Sequence, residues 1–144
     1  MKTTASEIEI PIRWLRISVG IVYLWFGALK FFPNQSPAEQ LAKETIAMLS
    51  FYSLPADICY ATLACWEVLI GLCFIFRLCN KTVMALYFLH LAGTFTPLFI
   101  FRSVSFHDFP YGFTLVGQYI MKNIVFLAVG WLIWEYEIRA KSLF

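Results

Sequence analysis

Ile58-Cys59-Tyr60-Ala61-Thr62-Leu63-Ala64-Cys65-Trp66-Glu67-Val68-Leu69-Ile70-Gly71-Leu72-Cys73-Phe74-Ile75-Phe76 is an apolar run with one charge, the carboxylate of Glu67, near its middle. A helix rising about 1.5 Å per residue makes such a run long enough to cross a hydrocarbon core about 30 Å thick. An isolated charge at the centre of that core costs about 2.5–3.5 kcal/mol. Glu67 therefore needs a partner or water, and the other segments are read by asking which of them supplies one.

Three further apolar runs, 12–32, 82–101 and 118–134, each carry an ionisable residue of their own: Lys30, His90 and Lys122. Residues are 60% hydrophobic and 14% charged, against roughly 25% charged in a soluble domain. The expectation is an all-α, single-domain integral membrane protein over 1–144. It has four transmembrane helices in a bundle and a short amphipathic outer-face helix between helices 1 and 2. The net charge of +2 comes from cations dispersed at the ends of the spans, which argues against a nucleic-acid partner. With four spans, Lys2, Arg13, Arg16, Arg77, Lys81, Arg139 and Lys141 share the side of the termini, and Lys30, Lys43, Arg102 and Lys122 the other. That bias places both termini in the cytoplasm. No cleavable signal peptide is evident, so the first span is expected to act as its own signal anchor. Cys59, Cys65, Cys73 and Cys79 form no C-x-x-C motif, which argues against a dithiol redox centre.

Met1 to Ile10 reads as a short polar tail before Pro11 at the first turn of helix 1. Gly20 and Gly27 lie on one face of that helix with Arg16, where small residues let another helix approach. Tyr23 and Trp25 read as aromatic bulk. Pro33 to Pro37 breaks the chain, and Ser36 is placed to cap a helix with Pro37 at its first position and Glu39 at its third. That helix, to about Ser50, is amphipathic and too short to span. The link Arg77 to Lys81 is short enough to make helices 2 and 3 antiparallel neighbours. His90, Gly93, Thr94 and Pro97 form a polar, kinkable face. The stretch Arg102 to Gly117 reads as an outer loop, and Glu135 to Lys141 as a charged tail after a belt of Trp131, Trp134 and Tyr136.

Glu67 lies nine residues from the outer start of its run and His90 eight from the inner start of its own, so both sit roughly 12–14 Å deep. Lys30 and Lys122 enter from the outer side on side chains about 6 Å long. Two outcomes are open. A neutral Glu67 bonded to His90 is a proton-transfer candidate, whereas an ionised Glu67 paired to Lys30 or Lys122 is an ion pair that fastens helices. Lys122 with Asn123 supplies an ammonium and an amide suited to a carbonyl or an anionic headgroup. No metal site is expected: His107 lies in the outer loop and His90 near the midplane, and Cys65 with His90 falls short of four ligands.

Trp25-Phe26-Gly27-Ala28-Leu29-Lys30-Phe31, Ser36-Pro37-Ala38-Glu39, Glu67 with Gly71, Gly93-Thr94-Phe95 and Gly117-Gln118-Tyr119-Ile120-Met121-Lys122-Asn123 together resemble the DoxX-like family of small bacterial four-helix membrane proteins. The resemblance covers about Arg16 to Trp134. It implies a place in the bacterial inner membrane, beside redox proteins, and carries over Lys30, Glu67, Gln118, Lys122 and Asn123. The leading expectation is a redox-associated membrane subunit whose polar outer half holds a quinone or similar small ligand. Lys30, Gln118, Lys122 and Asn123 would bind the ligand, and Glu67 and His90 would relay protons. No covalent or metal cofactor is expected; the partners are the lipid bilayer and other membrane or redox subunits. A structural or assembly subunit of a larger complex is the alternative. A small-solute transporter is a further one, set back by the lack of inverted repeats.

Overall fold

The computed structural model of the chain describes residues 5–32, 35, 36 and 39–139, with the side chains of 5–7 excepted. Among these residues the elements are α1 (Ala5–Leu29), α2 (Glu39–Leu49), α3 (Ala56–Ile75), α4 (Lys81–Phe95), α5 (Pro97–Ile100) and α6 (Arg102–Ser105). They are followed by β1 (Phe106–Asp108), β2 (Gly112–Phe113), α7 (Leu115–Met121), α8 (Asn123–Ile133) and a π-helical turn, Trp134–Arg139. Four helical stretches are long and apolar enough to cross a membrane: Ile8–Leu29, Ala56–Ile75, Lys81–Ile100 and Leu115–Arg139.

The seam between α1 and α3 organises the bundle. Buried Arg16, Gly20, Tyr23 and Gly27 recur at alternate spacings of four and three on α1, as do Tyr60, Ala64, Glu67, Gly71 and Phe74 on α3. That spacing lines each set along one face of its helix. The two helices run antiparallel and nearly touch. A Cβ on Gly71 would lie 2.6 Å from the Leu24 nitrogen, and one on Gly27 would lie 2.9 Å from the Glu67 Cβ. Glycine is what permits backbones to approach this closely. Behind the seam, Val19, Tyr23, Ile70, Phe74, Met84, Tyr87, Leu91 and Ile133 close the core. Tyr87 anchors α4 to α8 by donating to the Phe126 carbonyl at 2.7 Å.

Polarity is inverted relative to a water-soluble domain. Arg16, Glu67, His90 and Glu137 are buried, while Trp14, Trp25, Leu69, Leu89, Phe99, Ile124, Val125 and Trp131 are exposed. Along α8 an apolar groove of about 510 Å³ is lined by Phe88, Ile124, Leu127, Ala128 and Trp131.

Several expectations are corrected. Helix 1 begins by Ala5, with Pro11 inside it; tertiary contacts hold the turn that proline weakens, through buried Ile12 and Glu9, 3.4 Å from Arg77. The fold is mostly helical, as expected, with one short hairpin among the described residues. The expected outer loop contains α6 and a hairpin in which Phe106 pairs with Phe113, tied down by the Thr114 hydroxyl donating to the Val104 carbonyl at 2.6 Å. Thr114 also caps α7 by accepting from the Gly117 N–H at 3.1 Å, so the fourth helix starts at Leu115 instead of Gln118. The charged tail is in part a docked π-helical turn, because Glu137 is buried. The third long helical stretch is interrupted at Thr96, where α4 ends and α5 starts with Pro97 at its first position. Lys2, Pro33, Asn34, Pro37, Ala38 and Lys141 lie outside the described residues; Ser36 is the carbonyl acceptor for the Glu39 N–H at 3.1 Å.

Candidate functional site

The seam brings Glu67 between two partners at once. Lys30 Nζ lies 2.6 Å from Glu67 Oε2, and His90 Nε2 lies 2.9 Å from Glu67 Oε1. His90 Nδ1 lies 3.1 Å from the Tyr23 hydroxyl. A neutral His90 with its proton on Nε2 satisfies every contact: Tyr23 donates to Nδ1, Nε2–H donates to Glu67, and Lys30 donates to the other carboxylate oxygen. The result is a continuous chain, Tyr23–His90–Glu67–Lys30, drawn from three helices.

Local structure explains the chain. Tyr23 and Lys30 are seven residues apart on α1, hence on one face and separated by about 10 Å along the axis. Gly27 lies between them, and its missing side chain lets Glu67 reach in. Lys30 sits just beyond the last turn of α1, and its ammonium also donates to the Phe26 carbonyl at 3.4 Å. Rings pack around the imidazole: Tyr23 and Trp66 lie edge-on with centroids 5.2 Å and 6.0 Å from His90. A Cβ on Gly93, three residues beyond His90, would meet no atom within 4 Å.

Glu67, His90 and Lys30 thus come together, the carboxylate in contact with both partners at once. The other expected ligand-binding residues stand apart from this chain. The Lys122 ammonium lies over the rings of Tyr119 and Phe26, 4.2 Å and 5.2 Å from their centroids, a cation–π setting. Asn123 donates to the Thr94 hydroxyl at 3.2 Å and fastens α8 to α4. Gln118 is exposed and donates to the Phe113 carbonyl at 3.4 Å. Phe26 is the point where the two lysines approach the same residue, one at its carbonyl and one at its ring.

Two participants escaped sequence reading. Tyr23 completes the chain, and the seven-residue spacing of Arg16, Tyr23 and Lys30 is the signal that finds it. Glu137 forms a second buried ion pair at the opposite end of the bundle: Arg16 Nε lies 3.1 Å from Glu137 Oε1. Arg16 also donates to the Phe74 carbonyl and, at 3.2 Å, to that of Ile75, satisfying carbonyls at the end of α3 that have no intrahelical partner. Arg77 stands 3.6 Å from the other oxygen of Glu137. It holds a positive φ of 59° at the turn where the Leu78 N–H returns to the Cys73 carbonyl at 2.8 Å. No sequence pattern marked Glu137, because it lies among other charges beyond the apolar run.

At the end of the bundle where Lys30 lies, Lys43 bridges α2 to α3, 3.0 Å from Glu39 and 2.9 Å from Asp57. Hydrogen bonding to Asp57 first, then to Glu39, raises its pKa above the ordinary lysine value. No group of three or more His, Cys, Asp or Glu suited to a metal occurs among the described residues. Comparison with family models, with curated proteins and with solved structures returns no match.

Proposed function

We propose that this chain is an integral inner-membrane protein of DoxX-like kind, a redox-associated subunit that exchanges protons with a quinone or similar lipophilic ligand. The observation that carries the reading is the Tyr23–His90–Glu67–Lys30 chain. An ion pair alone suffices to fasten two helices. Here the carboxylate is instead joined to an imidazole whose second nitrogen reaches a phenol, so four groups capable of proton exchange are in hydrogen-bond contact inside an apolar bundle. The apolar exterior and the four spans support residence in a bilayer. The backbone at Gly93, one turn from His90, leaves room for a side chain or a ligand atom, and the ammonium of Lys122 stands over the Phe26 ring.

Mass spectrometry of the protein extracted gently from its membrane, reporting small molecules and subunits together, tests the proposal. A quinone is expected in the wild type and is expected to be lost from Gly93→Leu, whose Cβ meets no atom within 4 Å. Absence of any such molecule from a well-folded wild type would overturn the reading.

A second reading, a structural or assembly subunit, is favoured by one observation. Both oxygens of Glu67 are occupied, and Arg16 with Glu137 repeats the buried ion-pair motif at the other end of the bundle. Under that reading Glu67→Gln reduces the amount of folded protein with no separable loss of activity.

A further inference from the structure

Just beyond α2, two bulky residues hold a backbone conformation that suits glycine. Phe51 and Tyr52 stand side by side at positive φ, 53° and 55°, in the left-handed region that strains a residue with a Cβ. Local hydrogen bonds keep the turn there. The Phe51 N–H donates to the Met48 carbonyl at 3.0 Å, and the Tyr52 N–H to that of Ala47 at 2.7 Å. These bonds satisfy carbonyls at the end of the helix, a task that glycine performs without strain. What glycine lacks is a ring. The two residues are 88% and 76% exposed, so their rings add little to packing within the chain. Backbone strain with no packing gain inside the chain points to a role outside it.

The surface around the turn indicates what lies against it. Towards its start α2 exposes polar Gln40 and Glu44, joined at 3.0 Å, and in its last turn it exposes Met48 and Leu49. The helix packs against α3, with Thr45 buried, so its apolar end projects while its length is taken up by protein. Exposed Leu54 and Ile58 carry the apolar surface along the chain from the turn onto α3. There Ile58, Thr62, Cys65 and Leu69, all exposed, recur at spacings of four, three and four. That spacing makes one stripe on a helix long and apolar enough to cross a membrane. The turn is also pinned on both flanks, because Lys43 holds Glu39 at the start of α2 and Asp57 in the first turn of α3.

Resting on the proposal that the chain resides in a bilayer, we infer that the turn carrying Phe51 and Tyr52 is a lipid anchor. Phe51 enters the boundary between headgroups and acyl chains, and Tyr52 lies level with the headgroups. A tyrosine suits that level because its ring is apolar and its hydroxyl polar. The occupant is phospholipid and not a second copy of the chain, on two grounds. The apolar surface runs on into the exposed stripe of α3, and residues 48–56 carry no charge by which a protein partner would be steered into register. The anchor sets the height of α2 at the end of the bundle where Lys30 lies.

The test places trifluoromethylphenylalanine at position 51 of the full chain, in nanodiscs of phosphatidylcholine. Fluorine NMR then reads relaxation by dissolved oxygen, which concentrates in lipid, and by a nickel chelate, which stays in water. Two further proteins carry the same probe in place of Gln40, at the polar end of α2, and in place of Leu69, in the exposed stripe of α3. The ratio of oxygen to nickel relaxation is expected to rise from position 40 to 51 to 69, with 51 several-fold above 40. If the protein labelled at 51 does not fold, a probe in place of Tyr52 gives the same reading. A ratio at 51 equal to that at 40, with 69 in lipid, overturns the anchor and leaves residence in the bilayer standing. Shelter of position 51 from both agents, with 69 in lipid, overturns the anchor in favour of a second copy covering the turn. A probe at 69 relaxed by nickel as strongly as the one at 40 overturns both.

Discussion

Removing the charge of Glu67 while keeping its shape is the sharpest perturbation of this molecule. The Lys30 ammonium and the carboxylate are 2.6 Å apart, each side chain 9% exposed. At an effective dielectric of about 20, opposite charges at that separation attract by about 6 kcal/mol, most of it offset by the desolvation of both groups. The net worth of the pair is therefore modest, but the cost of halving it is not. In Glu67→Gln an ammonium stays buried with only the Phe26 carbonyl and a neutral amide for company, and breaking a buried pair from one side costs about 3–5 kcal/mol. Lys30→Met strands the carboxylate and should cost a similar amount. The double variant strands nothing, so it should be more stable than the sum of the single effects by at least about 2 kcal/mol. Reversible unfolding of the purified chain by SDS in mixed micelles measures all four corners of the cycle. A Gln variant within about 1 kcal/mol of wild type, or single effects that add within about 0.5 kcal/mol, would refute the argument that Lys30 and Glu67 hold one another.

Four further outcomes follow from the same geometry. Gly71→Ala places a Cβ 2.6 Å from the Leu24 nitrogen, so α1 and α3 must separate; the same unfolding assay should show a loss of about 1–3 kcal/mol. Arg16→Met and Glu137→Gln should each be strongly destabilising singly, by about 3–5 kcal/mol, and markedly less than additive together. At Arg77, whose φ is positive, Arg77→Gly should be about 1 kcal/mol more stable than Arg77→Ala, because both lose the ion pairs and only alanine retains the left-handed strain. The Lys43 pKa is raised, so its contribution to docking α2 on α3 is complete below the ordinary lysine value and disappears as pH climbs through the elevated one. Carbon NMR of the lysine side chain should find the midpoint above that ordinary value, and Asp57→Asn should lower it.

The four long apolar helices were legible because an apolar run is a property of contiguous residues, and helical rise turns positions into depths. That is how Glu67 and His90 were matched level with one another before their contact at 2.9 Å was seen. Azimuth was harder. Lys122 and Asn123 have suitable depth, but their directions depend on how α7 and α8 rotate against α1 and α4. That rotation is set by packing such as Tyr87 against Gly130, where a Cβ would lie 2.3 Å from the ring. Tyr23 was hidden by its type, since a tyrosine in an apolar helix serves as bulk as readily as a hydrogen-bond donor. The hairpin and the buried Glu137 were illegible for a different reason: both are created by tertiary contacts, the first with Ser105 and Thr114, the second with Arg16.

The two ion pairs of α1 are separated along it by about 21 Å, the rise from Arg16 to Lys30. Between them the seam is made of glycine, tyrosine and aliphatic groups, and a surface of that kind slides with small changes in contact energy. Charges do not slide. Shifting α1 by one turn against the rest of the bundle would break both ion pairs at once, parting Arg16 from Glu137 and Lys30 from Glu67. The pair of contacts therefore acts as a vernier on the helix, admitting a single axial setting. In a lipid, where apolar surfaces attract one another only weakly, two such contacts would give the helix a reason to stop in the right place.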